Sequence, residues 1–178
     1  GVPGLAFEWH VEGRDGGMTV VRLVNSGFGS GAEWDGEFDA MTEGWRAFFA
    51  NLRLHLTHFA GQAAVLSQPT AMWAPVPDGG WPALAEALGI DPDVAPGDRV
   101  EVTASQAPRL SGTVATRLRS GVALLLDDST PGTALLLAES HGPGLAASVW
   151  TYRYGPDAQQ VTADDAPRWA HWLQARAT

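Results

Sequence analysis

Residues 18–59 limit the fold more than any other stretch of this chain. Thr19, Val21 and Leu23 fall on one side of an extended segment and Val20, Arg22 and Val24 on the other, the alternation of a strand. The turn at 26–31, Ser-Gly-Phe-Gly-Ser-Gly, hands the chain to a run in which Trp34, Phe38, Met41, Trp45, Phe48, Leu52 and Phe59 recur mostly at steps of three and four. That spacing predicts one long amphipathic helix, with Phe49 and Leu56 widening its apolar stripe. Glu33, Asp35 and Glu37 in its first turns suit the positive end of the helix dipole. Gly44 inside the helix costs about 1 kcal/mol relative to Ala, so its place points to close backbone approach, helix against sheet. A helix of this length following a strand needs a sheet to grip it, and the grip makes a hollow suited to binding.

Composition narrows the classes. Eight Trp and six Phe are enough for a real core. The formal charge is −9 and every cation is an Arg. An acidic surface without Lys is a poor partner for nucleic acid or anionic membranes, so neither is expected. The lack of Cys rules out disulfides, thiol catalysis and zinc-thiolate sites. The longest apolar runs, 122–126 and 134–138, are strand-sized and far short of a membrane span. A cytoplasmic location is the default expectation.

Upstream, Leu5, Phe7, Trp9 and Val11 alternate with Ala6, Glu8, His10 and Glu12, a second strand with one wet face, joined to the first by a glycine turn at 13–17. Residues 60–80 are rich in Ala, Pro and Gly without a period and read as a linker. Beyond it the pattern predicts a short helix over 82–88 stopped by Gly89, strands at 99–103, 110–118, 122–126, 133–138 and 148–154, and a last helix over 164–175. The expected organisation is therefore a first unit at 1–59, a linker at 60–80 and a compact α+β unit at 81–178. The order strand, turn, helix occurs in both units, ending at Trp45 and at Trp169, which allows the second to be a divergent repeat of the first.

The segments Thr19-Val-Val-Arg-Leu-Val-Asn-Ser-Gly-Phe28 and Glu43-Gly-Trp45 resemble the C-terminal half of the START-like, helix-grip superfamily called SRPBCC. Within it they look most like the branch named for the activator of the heat-shock-protein-90 ATPase. The likeness covers about residues 5–59. It implies an α+β fold in which an antiparallel sheet grips a long helix around an apolar cavity, here followed by a smaller antiparallel unit with short helices. Members include lipid and polyketide binders, cyclases, toxin-sequestering proteins and chaperone regulators, so the resemblance leaves function open. The early strand, paired helices and tryptophan loop of that family have no counterpart before Leu5. The expectation is that the natural chain extends upstream of Gly1 or that residues 81–178 supply the missing sheet.

Short chemical motifs have ordinary explanations. Residues 27–32 match a relaxed dinucleotide fingerprint, but a hairpin precedes them where a parallel unit is required, so they read as a flexible turn. His55 and His58 lie three apart without further ligands and read as a solvated helix end, with no metal expected. Asp127-Asp128 read as turn residues and Asp164-Asp165 as caps at a helix start. No nucleophile elbow is present. What remains is an aromatic and aliphatic set, Phe7, Trp9, Val21, Leu23, Trp45, Phe49 and Leu52, expected to line an apolar cavity between sheet and helix. The expected function is binding of a small hydrophobic molecule, without a cofactor and without evident catalysis. A protein-interaction module or chaperone regulator is the alternative, a cyclase- or dehydratase-like enzyme a third, and a homodimer is among the partners expected.

Overall fold

The structure is a computed structural model describing residues 4–27, 32–76, 80–141 and 144–177. The chain is α+β and separates into two compact units, Gly1–Met41 and Thr42–Thr178. In the first, strands β1 (Ala6–Arg14) and β2 (Met18–Ser26) form an antiparallel hairpin, a sheet of two strands. Its turn is Asp15-Gly16-Gly17, where both glycines take the left-handed conformation (φ +78° and +73°) that a side chain would resist. The register sets Trp9 opposite Leu23 and Val11 opposite Val21 on one apolar face, while Glu8, His10 and Glu12 lie opposite Val24, Arg22 and Val20 on the other. The glycine-rich turn and the fingerprint at 27–32 fall largely outside the described residues.

Helix α1 (Ala32–His58) is the longest element, as its apolar period predicts, and the unit boundary falls within it. The second unit holds its later turns and an antiparallel sheet of seven strands. These are β3 (Val65–Ser67), β4 (Thr70–Trp73), β5 (Arg99–Glu101), β6 (Ser111–Leu118), β7 (Gly121–Leu126), β8 (Gly132–His141) and β9 (Gly144–Arg153). The order runs β3-β9-β8-β7-β6-β5, with β4 continuing along the same edge of β9 that β3 begins. Helices α2 (Gly80–Leu88) and α3 (Ala158–Gln174) complete the unit.

Both faces of this sheet are covered, which explains the continuous apolar runs. Alternate side chains of β7 and β8 point to opposite layers. Val122, Leu124, Ala134, Leu136 and Ala138 pack with Trp81, Leu84 and Leu88 of α2 and Trp169, Trp172 and Leu173 of α3. Ala123, Leu135 and Leu137 pack instead with Ala47 and Leu54 of α1. A buried hydrogen bond from the Thr133 hydroxyl to Asn51 Oδ1 (2.5 Å) ties α1 to β8. The unit is three layers, helix on sheet on helices. Close strand contact fixes Gly121 as well, because a Cβ there would strike the Leu136 carbonyl.

Three expectations change. The stretch 60–80 is not a linker: it carries β3, β4 and the first residue of α2. The sheet under α1 is built from residues 65–153, so a division into 1–59 and 81–178 cuts through one packed unit. The last helix starts at Ala158, after the turn at Gly155-Pro156-Asp157, and not at Asp164. Pro167 consequently sits inside α3, beyond the first turn where its missing N–H would cost nothing.

Candidate functional site

The seven residues singled out from the sequence fall into two groups, one in each unit. On the hairpin, Phe7, Trp9, Val21 and Leu23 share the apolar face with Val11. Phe7, Trp9 and Val11 are 50, 51 and 70% exposed, and every residue of β1 is exposed, whereas Val21 and Leu23 on β2 are half-buried. On α1, Trp45, Phe49 and Leu52 are all half-buried. Trp45 lies against both Phe48 and Phe49, with ring centroids 5.8 and 6.3 Å apart, and Phe48 meets Trp150 of β9 at 5.8 Å. Trp45 is half-buried and stands outside the core cluster that α1 forms with the sheet.

At the end of α1 the chain is pinned to Tyr154, the residue that follows β9. His55 Nδ1 lies 3.0 Å from the Tyr154 hydroxyl, and the Phe59 ring stacks on Tyr154 at 4.0 Å. Burial pushes the Tyr154 phenol above its ordinary value, with Tyr152 adding to the shift. His55 therefore acts as a structural partner of Tyr154. Among the described residues no group of three or more His, Asp or Glu is placed to hold a metal ion.

A concavity lies elsewhere in the second unit. A cleft of about 600 Å³ is lined by Glu101, Arg109, Ser111, Asp128, Arg153 and α3 residues including Asp164, Asp165 and Arg168; none of the seven expected residues lines it. Its floor is Arg153, only 3% exposed at the end of β9. The guanidinium spans both Asp128 carboxylate oxygens, the second at 2.8 Å, and donates to the Thr130 carbonyl at 2.6 Å. Asp128 also accepts from the Thr130 N–H at 3.2 Å, the turn bond expected of an Asp there. Asp164 and Asp165 are mid-helix: Asp164 accepts from Gln160 at 2.9 Å and Asp165 pairs with Arg168 at 2.9 Å. Burial raises the Asp165 carboxyl above its usual range, against the pull of Arg168 and Arg153, and Asp128 adds to the rise.

The Arg153–Asp128 pair escaped the sequence reading because its members meet only through the β8–β9 register, which sets Gly132 opposite Arg153. The available signal was an Arg closing a strand whose other residues are all uncharged. Chemically the cleft is lined largely by charged groups, with Arg153–Asp128 and Arg168–Asp165 paired within it. The hairpin offers an apolar face and a strand edge together.

No protein-family model matches the sequence, and no curated protein is significantly similar to it. A solved structure, that of protein Ms6760 from Mycobacterium smegmatis, is similar to the chain at 15% identity and a TM-score of 0.43, covering 64% of this chain and 90% of that one. Among the described residues no helix is long and apolar enough to cross a membrane.

Proposed function

We propose that the protein is a polypeptide-binding module that engages its partner through the β1–β2 hairpin. The observation carrying this reading is the exposure of Phe7, Trp9 and Val11 on one face of a strand with no buried residue. Apolar surface collected in one place marks interaction sites, and a two-stranded sheet is marginal in water until something is added to it. An extended partner adds through main-chain hydrogen bonds while side chains set the choice. A cytoplasmic location belongs to the same proposal; the cysteine-free sequence is compatible with it. The test is a photo-crosslinking residue in place of Val11, expressed in the native host. A discrete polypeptide adduct is expected, and its loss when Phe7 and Trp9 are both changed to Ser. The absence of any polypeptide adduct sinks the reading.

A second reading, binding of a small hydrophobic molecule, is favoured by the aromatic cluster of half-buried Trp45, Phe49 and Trp150 around the exposed Phe48. The resemblance to the SRPBCC superfamily supports it, since enclosure of apolar ligands is common there. Titration with a hydrophobic dye should then quench tryptophan fluorescence, and less so in Phe49→Ala. No quenching by any such probe removes this reading.

A further inference from the structure

We infer that the hairpin's partner is a second copy of this chain, its β1 added antiparallel to β1 of the first about a two-fold axis at Val11. The inference rests on the reading of the hairpin as an interaction surface and names what occupies it.

Charge selects both strand and register. Glu8, His10, Glu12 and Arg14 share one face of β1, with Glu8 3.1 Å from His10 and Glu12 3.3 Å from Arg14. An axis at Val11 sets Glu8 opposite Arg14 of the second copy and His10 opposite its Glu12. Glu8 then has His10 on its own strand and Arg14 across the seam, and Glu12 has Arg14 on its own strand and His10 across it. On the apolar face the same register places Val11 against Val11 and Trp9 over Gly13, where an aromatic ring covers the strand's one position without a side chain. An axis at His10 sets Glu8 against Glu12 and His10 against His10, like groups directly opposed. An axis at Trp9 pairs Glu8 with His10 but leaves Glu12 facing Ala6. On β2 the one charged residue is Arg22, and an axis at mid-strand sets it against itself.

The other sheet edges are poorer templates. Strands β3 and β5 have three residues each and β4 has four, against nine in β1. Pairing joins two hairpins into a four-stranded sheet, the size at which an isolated sheet gains independent stability. Backbone hydrogen bonds and apolar contact carry the association, while the exposed ion pairs set its register.

The experiment is sedimentation equilibrium on the full chain and on Glu8→Arg and Arg14→Glu. The wild type should be a dimer. Each variant alone faces two like-charged pairs across the seam and should dimerise roughly tenfold more weakly. Mixed in equal amounts, the two variants should recover wild-type affinity. In the mixed dimer the introduced arginine of one chain meets the introduced glutamate of the other, and the native Arg14 of the first meets the native Glu8 of the second. That recovery also shows that both variants fold. In the cysteine-free chain, Val11→Cys at the axis should form an intermolecular disulfide under mild oxidation, and Asp157→Cys should not. A wild type that stays monomeric, or a dimer indifferent to both charge reversals, overturns the inference. A monomer whose Val11 position crosslinks to a different polypeptide overturns the second copy and leaves the interaction reading standing. A chain that neither dimerises nor crosslinks loses both.

Discussion

The hairpin β1–β2 and the strand pair β7–β8 are both antiparallel and both rich in large apolar side chains, yet their surroundings are opposite. In β7 five of six residues are buried, with Leu125 half-buried. In β1 none is buried. Their sequences differ in the matching way: 122–126 is an unbroken apolar run, while Phe7, Trp9 and Val11 alternate with Glu8, His10 and Glu12. Continuous apolarity means that both faces are covered by the chain's own helices. Alternation means that one face is meant to be covered, and on β1 that face is still exposed in the single chain. The contrast separates residues packed into the core from residues that keep about half or more of their surface exposed.

The largest test of this contrast compares two Arg–carboxylate pairs. Arg153→Ala should cost about 3–5 kcal/mol, the range for breaking a buried pair and stranding Asp128 beside it. Arg14→Ala, which removes an exposed pair with Glu12, should cost less than about 1 kcal/mol at concentrations where the chain is monomeric. Comparable losses from the two would erase the distinction between the regions. Next, Leu136→Ala at a fully buried position of β8 should cost about 2–5 kcal/mol. Val11→Ala should cost within about 0.5 kcal/mol at concentrations where the chain is monomeric; a larger loss there would mean the hairpin face is covered within one chain.

Trp45→Ala should fall between these, at about 1–2 kcal/mol, below the range of about 3–5 for a fully buried Trp such as Trp169. Urea titrations of the two variants decide it, and equal losses would place Trp45 in the core. The smallest expected effect is in pH dependence. Because the Asp165 pKa is raised in the folded state, the native chain binds more proton than the unfolded chain between the unfolded and folded values. Its stabilising effect is therefore full below the unfolded value, about 3.9, and is lost as pH rises through the folded value. Asp165→Asn should flatten the thermal midpoint against pH in that window; an unchanged slope would show that Asp165 titrates normally.

Much of the second unit was readable because its signals are local. The runs at 122–126 and 134–138 became β7 and β8, and Gly89 stops α2 with φ +73°. The strands β3 and β4 were hidden, since three or four residues flanking Gln68-Pro69 carry no period, and they exist only because β9 offers an edge. The start of α3 was misplaced because Asp164-Asp165 look like caps, while the true start follows Gly155 and uses no side-chain cap. Of the candidate site, the chemistry of Phe7, Trp9, Val21 and Leu23 was legible from alternation. Their degree of exposure was not, because a pattern reports which face is apolar and not what lies over it.

The placement of β3 and β4 on β9 bears on how the chain is made. Val65 pairs with Arg153 and Trp73 with Leu145, so residues from the first half of the second unit wait for residues near its end. During synthesis the aromatic later turns of α1 leave the ribosome well before the strands that shield them, and long-range closures of this kind are slow. The interval between translation of residue 58 and residue 153 is thus the period in which the nascent chain is most open to capture by chaperones, or to premature joining with another chain.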